Sequence, residues 1–389
     1  MWITCGKFVN TSGLSRIERV CSGRCENAKI IYNIAMNAKL TALQNKIETA
    51  LAAALPRDFD LKWQKASFDQ LPAAITQNKT FIQKLIEPND VLIKLGGKRW
   101  RPLFLMLCYD LAKSLDAQNA ERALTQKTAL SLTPLVEFVH TASLIHDDIE
   151  DSADLRRGKP AAHITYGIDH ALNSASWLYF EAPVCLETAK LTPEQRLAFY
   201  KLYTNELRHL HLGQAMDIYW HKEKKVFPTT EEYQAMVQNK TGTLASLAAQ
   251  VGFIAGGATP QQASLYGKTA AQIGVGFQII DDVINLTKGN PGKKRGDDIV
   301  EGKKSLPVLL HIQKHPGDKK KISALMEKAE REGINSPAVE ECIALLNTSD
   351  CIKQAAEQGK TLIQKNCAKF AKNPLITELF NQLIPKEYK

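Results

Sequence analysis

Residues 130–160 read LSLTPLVEFVHTASLIHDDIEDSADLRRGKP. Apolar residues recur every three or four positions from Leu130 to Ile149, the period of a helix rather than the alternation of a strand. Pro134 falls near the start of the run, where a proline harms a helix least. At its far end Asp147, Asp148 and Asp151 stand at i, i+1 and i+4, so Asp147 and Asp151 share a face with Asp148 beside them. Carboxylates are unfavourable at a helix C-terminus, where the dipole is already negative, and something cationic has to compensate them. Hard oxygen donors on one face suit Mg²⁺, which takes one or two carboxylates and completes its shell with substrate phosphates. Arg156 and Arg157 follow, and an arginine fork matches phosphate oxygens. Carboxylates and then arginines point to a metal-bridged diphosphate. The alternative for this motif alone is an acidic helix end paired with its own arginines.

The same helical period fills the rest of the chain: Leu130–Asp151, Glu194–Trp220, Thr230–Ala255 and Gln261–Leu286. Gly96-Gly97, Gly158 with Pro160, Pro228, Gly256-Gly257 with Pro260, and Gly289–Gly292 punctuate it. Strand-type alternation is nearly absent, so the fold class is all-α. No repeat of fixed period argues for a solenoid. Composition is that of a globular protein, with 44% hydrophobic and 23% charged residues among 389. Leu244–Ala258 is apolar but falls short of the roughly 18 residues a membrane span needs, and Gln250 interrupts it. It reads as a buried core helix, and no transmembrane segment is expected. The net charge of +9 favours anionic partners. Of eight scattered cysteines only Cys21 and Cys25 lie close together, which is too few for a four-ligand zinc site and fits reduced thiols. Residues 1–35 mix Cys, Gly, Ser and Asn with several arginines. They read as a dispensable extension or, alternatively, a targeting segment, although Glu18 and Glu26 weaken the latter. Met36 opens a clean helical sequence, so the folded domain is expected over 36–389 and its location as cytoplasmic.

A second acidic cluster repeats the first. Residues 276–286 read GFQIIDDVINL, with Asp281, Asp282 and Asn285 at i, i+1 and i+4 behind another apolar run. Two buried helices ending this way are hard to explain structurally; facing each other, they could hold several Mg²⁺ ions around one diphosphate. Asn285 is neutral, so this side should bind metal less strongly. Lys288, Lys293, Lys294, Arg295, Lys303 and Lys304 follow. Upstream, residues 96–102 read GGKRWRP: two glycines allow close backbone approach, and Lys98, Arg99 and Arg101 supply charge. His140 lies two turns before Asp147 on the same helix. Lys240 and Thr241, in NKTG, interrupt an apolar helix, and a lysine on a buried face needs a partner.

Taken together these motifs resemble the trans-isoprenyl diphosphate synthases, from about Glu87 to Leu310: GGKRWRP, DDIED followed by RRG, NKTG, a second DD motif, and EGKKSLP. The resemblance implies an antiparallel helix bundle around a deep apolar cavity, usually a homodimer or higher homo-oligomer. It implies that Asp147, Asp148, Asp151, Asp281 and Asp282 bind two or three Mg²⁺ ions. Arg156, Lys240, Lys294 and Lys303 would hold the allylic diphosphate, and Lys98, Arg101, His140 and Arg157 the isopentenyl diphosphate. Thr241 and Gln278 would position the allylic group. Asp147, Asp148, Asp151, Arg156, Lys240, Asp281 and Asp282 would carry the catalysis. The small Ala142 and Ser143, one turn before Asp147, leave room for a product longer than C15. NSASWLYF and LHLGQ resemble the geranylgeranyl subgroup, in which Tyr179, Phe180 and His211 would form the cavity floor, for a C20 product. Longer-chain synthases and a terpene cyclase on the same fold are the alternatives. The cyclase needs no Lys98, Arg101, His140 and Arg157. A basic nucleic-acid-binding protein would not interleave its bases with paired carboxylates, and no nucleic acid is expected.

Overall fold

A computed structural model describes residues 37–56, 59–289 and 294–384. The extension 1–35, with Cys21 and Cys25, and Lys293 lie outside the described residues. Thirteen principal helices are used below. They are α1 (37–54), α2 (Thr80–Lys94), α3 (Trp100–Leu115), α4 (Pro134–Glu150), α5 (Ile168–Glu181), α6 (Pro193–Lys222) and α7 (Thr230–Val237). Then follow α8 (Thr243–Ala255), α9 (Pro260–Thr287), α10 (Leu306–Lys314), α11 (Lys319–Glu332), α12 (Pro337–Asn347) and α13 (Cys351–Cys367). Among the described residues the only sheet is a two-stranded ribbon, β1 (Leu155–Arg156) with β2 (Lys159–Pro160). The fold is all-α, as the periodicity predicts.

The long helices begin where their capping residues say. Thr192 and Thr259 each form a capping box with Gln195 and Gln262, and each precedes a proline at the first helical position. Thr229 caps α7 in the same way through Glu232. The predicted single helix over Thr230–Ala255 is instead α7 and α8 joined by a π-helical turn, Gln238–Gly242. Such turns carry an extra residue and concentrate at functional sites.

Helix α9 is the shared wall of the molecule. Ala263, Ala270, Ile273 and Ile280 belong to an N-terminal core with Phe104, Phe138 and Phe253. Val275, Ile279, Val283 and Leu286 belong to a C-terminal core with Leu306, Ile322 and Ile343. Two close approaches depend on glycine. A Cβ on Gly252 of α8 would stand 2.2 Å from Leu105 O of α3. A Cβ on Gly276 of α9 would stand 2.7 Å from Gly359 O of α13. The apolar stretch Gln126–Glu150 is long enough to cross a membrane, but 67% of its apolar window is buried inside the protein.

Candidate active site

A cavity of about 550 Å³ opens between α4, α6, α8 and α9. Asp147 faces it from α4, and Asp281 and Asp282 from α9. The two acidic clusters therefore do meet across one space. Lys240, carried by the π turn, bridges the first cluster to α6. Its Nζ donates to Asp147 Oδ1 at 3.0 Å and to Asp217 Oδ2 at 2.5 Å. Asp151, which ends α4, lies outside the cavity lining, contrary to its expected role as a metal ligand; it accepts from Lys303 Nζ at 3.0 Å, and His221 Nδ1 lies 3.6 Å from its other oxygen. Burial acts to raise the Asp147, Asp151 and Asp217 carboxyls. The lysines beside them win, and all three lie below the usual range. Burial also opposes the Lys240 and Lys303 charges, yet the carboxylates hold both ammonium groups above their ordinary value.

Within each pair of adjacent aspartates the two residues differ. Asp148 is 1% exposed, and Arg156 Nε donates to its two oxygens at 2.8 and 3.0 Å. It does not line the cavity, contrary to its expected role as a metal ligand: successive helical residues point about 100° apart. Asp282 lines the cavity but is 5% exposed and accepts from Tyr233 OH (2.6 Å), Gln278 Nε2 (3.1 Å) and Leu306 N (3.1 Å). Burial pushes its carboxyl up to about 6. Asn285 is fully buried; its side chain accepts from Asp298 N at 3.3 Å and so ties down the turn after α9. Thr241 donates to Gln278 Oε1 at 2.9 Å, completing a chain from the π turn to Asp282.

Lys98, Arg101 and His140 line one end of the cavity. Arg101 Nη1 lies 3.2 Å from His140 Nε2. Burial, with Arg101 and Arg157 nearby, holds the His140 imidazole well below its ordinary pKa, so it stays neutral and accepts. Arg157 is near but not in the lining. It donates to Leu92 O at 3.0 Å and lies against Gly97, whose φ of +148° favours glycine. Lys294 is a correction: exposed and outside the cavity, it reaches Asn335 Oδ1 at 3.4 Å, while its backbone N–H is tied to Asp297.

The expected floor is also revised. Tyr179 is 8% exposed and packs between His146 (centroids 5.4 Å, stacked) and His211 (5.3 Å, edge-on). Phe180, by contrast, is 78% exposed on the outer side of α5, and His211 is also exposed; neither they nor Tyr179 belong to the cavity lining. The helical rotation that turns Tyr179 inward turns its neighbour out. Ala142 is fully buried and Ser143 lines the cavity. Sequence reasoning missed His146, Asp217 and His221. Gln214, Asp217 and His221 stand at i, i+3 and i+7, one face of α6, and that spacing was the available signal.

A family model for polyprenyl synthetases matches residues 82–346. The chain belongs to the polyprenyl synthetase family. It is 32% identical over 306 residues to the geranylgeranyl pyrophosphate synthase paxG of Penicillium paxilli, spanning 77% of each chain. Its fold resembles the geranylgeranyl pyrophosphate synthetase of Pyrococcus horikoshii (TM-score 0.72, 25% identity, 90% of this chain and 98% of that one). It also resembles a Caulobacter crescentus polyprenyl synthase crystallised with calcium and isoprenyl diphosphate (TM-score 0.65, 23% identity, 89% and 97%). Like other members of the polyprenyl synthetase family, this trans-prenyltransferase acts on isoprenyl diphosphates, and the family uses a divalent metal.

The donor set fits such an ion. No three Asp, Glu, His or Cys side chains among the described residues converge tightly enough to hold a metal by themselves. Asp147 and Asp281 instead offer hard oxygens from opposite walls, an arrangement suited to Mg²⁺ that takes its remaining ligands from a diphosphate.

Proposed function

We propose that this enzyme condenses isopentenyl diphosphate with an allylic diphosphate (dimethylallyl, geranyl or farnesyl) and releases geranylgeranyl diphosphate, C20. One observation carries the reading: Asp147 and Asp281 face each other across a cavity whose polar rim is bracketed by Lys240, Lys303 and Arg156. Asp147, Asp281 and Asp282, the aspartates that line the cavity, would hold two or three Mg²⁺ ions, with Asp151 behind them orienting Lys303. Bound Mg²⁺ supplies the positive charge that stabilises a departing diphosphate. Lys240, Lys303 and Arg156 bind the same diphosphate and share its growing charge. Lys98 and Arg101 hold the second diphosphate, with neutral His140 fixing the Arg101 guanidinium. Leu144, Leu210, Leu244 and Phe277 line the cavity below and exclude water from the allylic cation. The isopentenyl alkene attacks that cation, and the departed diphosphate takes a proton from the adduct to restore the double bond. No enzymic nucleophile is required. The lining by Lys98, Arg101 and His140 disfavours a cyclase, which has no second substrate to hold.

Residues 36–389 would form the synthase domain, with 1–35 a dispensable extension, and the enzyme would act in the cytoplasm as a homodimer. The test is a product assay with Mg²⁺, labelled isopentenyl diphosphate and each primer in turn. A dominant C20 alcohol, lost with EDTA and at least a hundredfold reduced in Asp147→Ala, is expected for removal of a charge-stabilising group, worth roughly that factor. Condensation that survives EDTA would sink the metal assignment. In the same assay Tyr179→Ala should lengthen the product past C20, whereas Phe180→Ala should leave the length unchanged. The opposite pattern would return Phe180 to the floor.

A further inference from the structure

The loop GGKRWRP contains a residue that neither substrate should touch. Gly96, Gly97 and Arg99 all have positive φ, +75°, +148° and +46°. Two of these positions suit glycine, but a long side chain in the left-handed region is strained and persists only where its surroundings hold it. Arg99 is so held. It is 3% exposed, although Lys98 and Arg101 on either side of it line the cavity. Its Nη1 donates to Glu137 Oε1 at 2.6 Å, and its Nη2 to Ile93 O at 2.5 Å. Its Nε and Nη2 fork the Glu48 carboxylate at 2.7 and 3.3 Å. Glu137, 2% exposed on α4, sits one turn before His140 and also attracts Arg101 and Arg157. Glu48 comes from α1, well away from every motif discussed above.

We propose that Arg99 is a positioning residue, clasped between Glu137 and Glu48, that sets the loop so that Lys98 and Arg101 point into the isopentenyl subsite. The inference rests on the isopentenyl assignment under Proposed function. Three arginines crowd one end of the cavity, and their mutual repulsion would scatter them. Glu137 is the buried counter-charge that gathers them, and removing one partner of such a buried pair leaves an uncompensated charge. Glu48 closes the clasp from outside, which makes the first described helix part of the subsite without contacting substrate.

Glu48 is the end to probe, because its side chain is 42% exposed and its loss should not prevent folding. KM for isopentenyl diphosphate, KM for the allylic primer, kcat and Tm are measured for wild type, Glu48→Gln, Arg99→Ala and Arg99→Lys. Glu48→Gln should raise the isopentenyl KM by about three- to tenfold, a uniform-binding loss, with kcat and the allylic KM within about twofold. Arg99→Lys, which keeps the charge without the fork, should recover part of the larger loss in Arg99→Ala. Equal rises in both KM values, or no rise in either, would overturn the clasp while leaving the substrate assignment intact. Wild-type protein that condenses nothing would instead sink the substrate assignment, and the inference with it.

Discussion

Glu181, the last residue of α5, is 4% exposed and accepts a hydrogen bond from Ser67 Oγ at 2.7 Å. Burial pushes its carboxyl up to about 7, against an ordinary value of 4.5. The folded protein therefore keeps a proton there that the unfolded chain gives up. This group's contribution to stability is fully present below pH 4.5 and is lost as pH rises to about 7. Glu181→Gln keeps the shape and removes the titration. Urea denaturation across that window should show wild type losing on the order of 3 kcal/mol relative to the variant. A difference that does not change with pH would refute it. At this scale the sequence was partly legible. Spacing alone identifies the acidic clusters, and the structure brings them together. Spacing does not say which of two adjacent carboxylates points inward: Asp147 faces the cavity, whereas Asp148 is consumed by Arg156. The same rotation misplaces Phe180. Lys240 reads from the sequence as a buried lysine needing a partner, but Asp217, 23 residues away, is brought to it only by the fold.

Helices α4, α6 and α9 were legible because local rules set their ends: a proline at the first position of each, threonine caps on α6 and α9, and a steady apolar period. The π turn was not, because an extra backbone residue leaves no compositional mark, yet it places Lys240 and Thr241 side by side at the cavity. How closely two helices approach is equally silent until a glycine is seen against a partner. A side chain at Gly252 would drive its Cβ to 2.2 Å from Leu105 O and 2.8 Å from Cys108 Cβ. Backbone cannot yield locally, so α8 would have to move off α3. Gly252→Ala should therefore cost about 1–3 kcal/mol of unfolding free energy, as overpacking does elsewhere. Its urea midpoint should fall, and condensation should fall with it, because α8 begins directly at the π turn. An unchanged midpoint would mean that the helices adjust without penalty.

Across the whole molecule, α5 and α6 carry exposed apolar side chains on their outer faces. On α5, Ile168, Leu172 and Phe180 are 59%, 44% and 78% exposed, at spacings of four and eight that put them on one face. On α6, Leu212 and Tyr219 are each 55% exposed, seven residues apart. Their immediate neighbours Tyr179 and His211 meet edge-on, ring centroids 5.3 Å apart, so the two stripes flank one contact between α5 and α6. Apolar side chains exposed in such a stripe mark an interaction surface. A second copy of the chain is the proposed occupant, meeting it across a twofold axis so that the same patch serves both partners. A stable interface of this kind buries about 1,200–2,000 Å² in total. Light scattering should give the wild type twice the chain mass, and Phe180→Asp with Leu212→Asp should return it to a single chain. Because α5 and α6 carry Tyr179, His211, Gln214 and Asp217, the separated chain should also condense more slowly and lose product-length control. A wild type that runs as one chain, or a double variant that stays paired, would move the dimer elsewhere and leave these stripes unexplained.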